Sequence, residues 1–134
     1  MIAALRKRLK GDQQGFTLIE LLVVIIILGI LVAIAVPSYL SFSSRANTSG
    51  AQSAVRAIVP DIEAYFSDNG NYTAMTLTNL QSSYDQSLDT SKYTLFTNAT
   101  SYCVDGYAKD SSVKYKKVGP SGTIVAGGCS SVTG

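Results

Sequence analysis

One stretch constrains this 134-residue chain more than any other. From Phe16 to Val36 there are 21 residues, and Glu20 is the only charged one. As an α-helix at 1.5 Å per residue the run spans about 31 Å, close to the ~30 Å hydrocarbon core of a bilayer. The core helix of a soluble domain does not need so long an apolar run. Four basic residues precede it, Arg6, Lys7, Arg8 and Lys10. Excess Lys and Arg marks the cytoplasmic flank of a span, so the N-terminus is expected inside and everything after Pro37 outside.

A secretory signal peptide also places an apolar run behind basic residues, but its small-residue cleavage site follows the run. Here Pro37-Ser38-Tyr39-Leu40 follows, with no small-x-small site, and the conspicuous small residue, Gly15, comes before the run. Glu20 needs its own account. An acidic group inside a span costs roughly 2.5–3.5 kcal/mol and is a functional candidate by default. Cleavage after Gly15 would expose an α-ammonium on Phe16. That cation and the Glu20 carboxylate can neutralise each other, within one chain or between neighbours.

Gly15-Phe16-Thr17-Leu18-Ile19-Glu20, the apolar run, Gly29 and Pro37 together resemble the N-terminus of a type IV prepilin, of the type IVa kind. The resemblance covers residues 6–45. It implies a prepilin peptidase that cuts between Gly15 and Phe16 and methylates the new amine of Phe16. It implies that Glu20 pairs with the N-terminus of an adjacent subunit during assembly, and that the helix unwinds between Gly29 and Pro37 in the filament. The implied partners are further copies of the chain, the membrane before assembly, and an inner-membrane assembly platform with its ATPase. The implied locations are the cytoplasmic membrane for the precursor and the cell surface for the assembled pilus. No cofactor is implied. Pseudopilins of type II secretion and minor pilins share the motif, so it does not separate them from a major pilin.

Composition fits a small outer domain. Residues 1–15 carry four basic groups and Asp12, so the remaining chain has seven basic and eight acidic groups, net −1. The apparent basicity therefore belongs to the leader. The organisation expected is a leader (1–15), a membrane and assembly helix (16–45) and a soluble head (46–134). The fold class expected is α+β, a long N-terminal helix packed on a C-terminal antiparallel sheet of about four strands.

Pro37 removes a backbone donor and crowds the carbonyl of Ala33, so a bend is expected there. Beyond it Ala51, Ala54, Val55, Ile58, Ile62, Tyr65 and Phe66 recur at helical spacing. Gln52, Arg56, Asp61 and Glu63 form the expected polar face, and Pro60 marks a second expected bend. Asp68-Asn69-Gly70-Asn71 should stop the helix, with Gly70 suited to positive φ. Residues 71–91 read as a connecting loop with room for one helical turn. Strand signals follow at Tyr93–Thr97, Tyr102–Val104, Tyr107–Ala108, Val113–Val118 and Thr123–Ala126. Asp105-Gly106 reads as a bulge or tight turn, and Gly119-Pro120-Ser121-Gly122 as a turn. The amphipathic half of the helix is the one element long enough to cover a face of this sheet.

Cys103 and Cys129 are the only cysteines. On the exported side they form either a disulfide or two free thiols. A disulfide would tie the second strand to the segment after the last, and the pilin resemblance implies such a closure. Two thiols with no histidine in the chain give no recognisable metal ligand set. Lys114, Lys116 and Lys117 flank Tyr115, a pattern open to DNA capture or to a solvated strand face. Asn47-Thr48-Ser49, Asn71-Tyr72-Thr73 and Asn98-Ala99-Thr100 fit a glycosylation triplet, a weak signal. There is no G-x-S-x-G, no phosphate-binding glycine loop and no acidic Ca²⁺ loop, so the residues offer an enzyme nothing to work with. The C-terminal cysteines and the missing Ca²⁺ cluster favour a pilin over a pseudopilin. A signal-anchored enzyme or binding protein remains a third reading, and it requires an uncut Gly15.

Overall fold

The computed structural model describes residues 15–132. In order, its elements are α1 (Leu18–Asn69), α2 (Leu77–Ser83), a 3₁₀ turn (Thr90–Lys92), β1 (Tyr93–Thr97), β2 (Tyr102–Gly106), β3 (Tyr115–Gly119) and β4 (Ile124–Ala126). The chain divides into two compact units between Leu40 and Ser41, so α1 contributes to both.

In the first unit α1 is apolar all round, and every residue from Leu18 to Leu40 is exposed. Such a helix gains nothing from its own chain by burying one face. Gly29 to Pro37 are α-helical here. Pro37 leaves one backbone carbonyl without its usual donor, yet the helix runs on through it. One turn away, the Ser38 hydroxyl donates to the Ile34 carbonyl at 3.1 Å.

In the second unit the same helix becomes amphipathic. Ala51, Val55, Ile58, Ile62 and Tyr65 are buried, spaced by three and four residues. Pro60 is exposed and the helix continues through it. Gly70, at φ 73°, ends the helix, and its N–H donates to the Phe66 carbonyl at 2.7 Å. The Asn69 side-chain amide donates to Tyr65 O at 2.9 Å, satisfying a second terminal carbonyl. The connecting segment is more ordered than its composition suggested. Thr76 caps α2 by accepting from the Asn79 N–H at 3.1 Å, and Asp89 caps the 3₁₀ turn by accepting from Ser91 N–H at 3.2 Å.

The four strands form an antiparallel meander in the order β1-β2-β3-β4. All five residues of β2 are buried. Side chains alternate along a strand, so both faces of β2 are covered. Tyr102 and Val104 join Val55, Ile58, Ile62 and Tyr65 of α1, with Tyr72, Met75, Leu80 and Leu88 closing the core. Cys103 and Asp105 take the opposite face. The result is a long helix packed through its second half on a four-stranded antiparallel sheet.

Local expectations change in four places. Asp105-Gly106 is not a turn but the end of β2, with Asp105 paired to Thr94 and Lys116. Its stabilising partners, Cys129 and Lys114, are remote or across a loop, so local turn chemistry misled. Tyr107 and Ala108 lie outside any strand, and β3 starts at Tyr115 rather than Val113. Glu63 does not face solvent with the other polar residues. It accepts hydrogen bonds from Tyr102 Oη at 3.0 Å and Tyr72 Oη at 3.2 Å. Phe66, read as part of the buried stripe, is 38% exposed and stacks instead on the Tyr72 ring, with centroids 4.6 Å apart.

Candidate functional site

The start of α1 is a reciprocal cap. Thr17 N–H donates to Glu20 Oε2 at 2.8 Å and Thr17 Oγ1 donates to the same oxygen at 2.9 Å. In return, the Glu20 N–H donates to Thr17 Oγ1 at 3.3 Å. This is a capping box, and it satisfies donors that a helix N-terminus otherwise leaves open. Reading Glu20 only as a partner for an ammonium missed this role. The signal was present, since Thr17-Leu18-Ile19-Glu20 has the Thr-x-x-Glu spacing of a capping box immediately before an apolar run.

Around this cap the surface is hydrocarbon. Phe16 and Leu18 are each 82% exposed, and large apolar side chains remain exposed along the helix as far as Phe42. Among the described residues α1 is the one helix long and apolar enough to cross a membrane. Beyond its own helix backbone, a Cβ added at Gly29 would meet no atom within 4 Å, so nothing among the described residues requires glycine there.

In the head, Cys103 of β2 is bonded to Cys129 beyond β4, with Cα atoms 5.9 Å apart and a sequence separation of 26. The three lysines do not form one patch. Lys116 and Lys117 are neighbours on β3 and project to opposite faces. Lys117 Nζ donates to the carbonyls of Pro120 and Gly122. Lys114 Nζ lies 3.6 Å from Asp105 Oδ1 and 5.9 Å from the centre of the Tyr107 ring. Two of the three ammonium groups therefore serve the chain's own fold.

Half-buried Glu63 and its two phenols join the helix to the sheet. Burial, reinforced by the Glu63 charge, pushes the Tyr72 hydroxyl up to about 12. Burial and the hydrogen bond to Glu63 also push the Tyr102 hydroxyl up. No group of three or more metal-ligating side chains occurs among the described residues.

Residues 10–36 match the family model of the prokaryotic N-terminal methylation motif. Over 66 residues the chain is 38% identical to the type IV major pilin protein PilA of Myxococcus xanthus, covering 49% of this chain and 30% of that one. Over 84 residues it is 37% identical to a fimbrial protein of Neisseria meningitidis, covering 58% and 49%. Over 63 residues it is 43% identical to the type II secretion system core protein G of Pseudomonas aeruginosa, covering 47% and 44%. No solved structure matches it. The motif match and the similarity to pilins and fimbrial proteins support a type IV pilin. The chain is similar both to pilins and to a type II secretion core protein, and it spans less than half the length of these curated relatives.

Proposed function

We propose that this chain is the structural subunit of a type IV pilus and polymerises through the first half of α1. The observation that carries the reading is the fully exposed apolar helix from Leu18 to Leu40, which has no partner among the described residues. Before assembly, lipid covers it. In a filament, the same helices of other copies cover it. Moving between two apolar environments releases little free energy, so an assembly platform with an ATPase supplies the work. The chain acts as a substrate for prepilin peptidase and performs no catalysis itself. Cutting between Gly15 and Phe16 frees an amine next to the Thr17–Glu20 cap. Glu20 Oε2 already accepts two local hydrogen bonds. Its carboxylate keeps lone pairs for the ammonium of a neighbouring Phe16. The assembled fibre lies at the cell surface and serves adhesion, twitching motility or DNA uptake.

Intact mass and N-terminal sequencing of protein sheared from cells test this. The expected result is abundant protein starting at methylated Phe16. Uncut protein starting at Met1 would refute it. The resemblance to core protein G supports a second reading, a pseudopilin or minor pilin. That reading gives processed protein confined to the membrane fraction.

A further inference from the structure

Asp105 is 1% exposed, and its charge is not used by the helix or by the hydrogen-bond ladder of the sheet. Its hydrogen bond among the described residues goes to the Cys129 N–H, 2.7 Å from Oδ2. Oδ1 has no hydrogen-bond partner and faces Lys114 Nζ at 3.6 Å. A buried carboxylate is expensive unless something donates to it. Here the donor comes from the segment that carries the second half of the disulfide.

That segment is fitted to the site. Gly127, at φ 121°, donates its N–H to the Lys114 carbonyl at 2.9 Å. A Cβ at Gly128 would sit 3.4 Å from Asp105 Oδ2 and 3.6 Å from Lys114 Cδ, in van der Waals contact with both, so the segment lies directly against the site. Cys103 and Asp105 stand two residues apart on β2 and so share a face. A segment held by Asp105 therefore brings Cys129 to Cys103.

We propose that Gly127–Cys129 is a latch seated on β2 by the Asp105 carboxylate independently of the disulfide. Asp105 is a positioning residue that delivers the Cys129 thiol to Cys103, and oxidation locks a segment already docked. In the locking step the two thiols give two electrons and two protons to an exchangeable disulfide such as oxidised glutathione, which leaves as two thiols. Docking and oxidation are thermodynamically linked, so docking raises the effective concentration of the two thiols, and the disulfide strengthens docking by the same factor.

The test uses the full chain in detergent micelles, equilibrated with glutathione redox buffers, with the oxidised fraction read by thiol alkylation and mass. Asp105→Ala should lower the effective thiol concentration by on the order of tenfold, the scale of a hydrogen bond to a charged group. Asp105→Asn keeps an acceptor oxygen and should fall between the two. Equal effective concentrations in wild type and Asp105→Ala, with amide protection of Val104 intact, would overturn the proposal. A second measurement decides it if Asp105→Ala does not fold. In a Cys103→Ser, Cys129→Ser chain the amide at position 129 should still exchange at least about tenfold slower than an open amide, by the same hydrogen-bond scale. Exchange there at the open rate, in a folded head, would refute the latch.

Discussion

The two halves of α1 show how one secondary structure serves two environments. From Leu18 to Leu40 the helix is apolar on all sides and wholly exposed. From Ala51 to Tyr65 the large apolar residues Val55, Ile58, Ile62 and Tyr65 form one stripe, and that stripe is buried against the sheet and the connecting segment. Hydrogen bonding is the same in both halves. The pattern of side chains decides whether the chain itself can cover the helix. Where it cannot, the apolar surface is left open to another apolar environment.

The strongest way to break this comparison is to place the same charge in each half. Ile58 is fully buried, and Ile58→Asp puts an unpaired carboxylate into the core. We expect the head to lose its fold, a cost of about 4 kcal/mol or more. Loss of near-UV tyrosine circular dichroism would register it. Ile27→Asp should leave that signal unchanged and instead impair membrane insertion by roughly 3 kcal/mol, read by carbonate extraction. Equal loss of head structure in both variants would erase the distinction.

Reducing the disulfide comes next. A 26-residue separation is worth about 3–4 kcal/mol in the chain-entropy account. Urea unfolding with and without reductant should show a shift of that size, confined to the head. Glu63→Gln follows. It removes the charge that accepts from both phenols and should cost about 1–3 kcal/mol, read the same way.

The two phenols also predict an alkaline limit. Unfolded tyrosines titrate near pH ~10, while the folded Tyr72 hydroxyl is held up to about 12 and Tyr102 is raised as well. A raised value favours the folded state while the group is protonated. That contribution is complete below about pH 10 and is lost as pH rises from there toward 12. Tyr84, through its hydrogen bond to Asp68, and Tyr93, through burial, are raised as well, so absorbance at the phenolate band should show four late-titrating tyrosines that become ordinary in urea. Smallest of all is Ile27→Ala, within about 0.5 kcal/mol on head unfolding, because the Ile27 side chain is exposed.

Much of this was legible from residue patterns. The apolar run, its lone Glu20 and the Gly15-Phe16 pair are local features, and all lie within the motif match over residues 10–36. The change from an all-apolar helix to a striped one is written in spacing, as is its stop at Gly70. The meander is legible because short links between β-rich runs leave few other pairings. What stayed hidden depended on partners distant in sequence. Asp105 reads locally as turn chemistry, yet it ends a buried strand because Cys129 donates to it from 24 residues away. Glu63 reads as solvent-facing, yet Tyr102, 39 residues on, brings a hydroxyl to it. Lys114, Lys116 and Lys117 read as one basic cluster, yet strand alternation separates Lys116 from Lys117, and Lys114 and Lys117 have separate partners. Helical and strand periodicity act over a few residues, so sequence carries them. The partner of a buried charge depends on which chain segment folding brings beside it, so only packing supplies that.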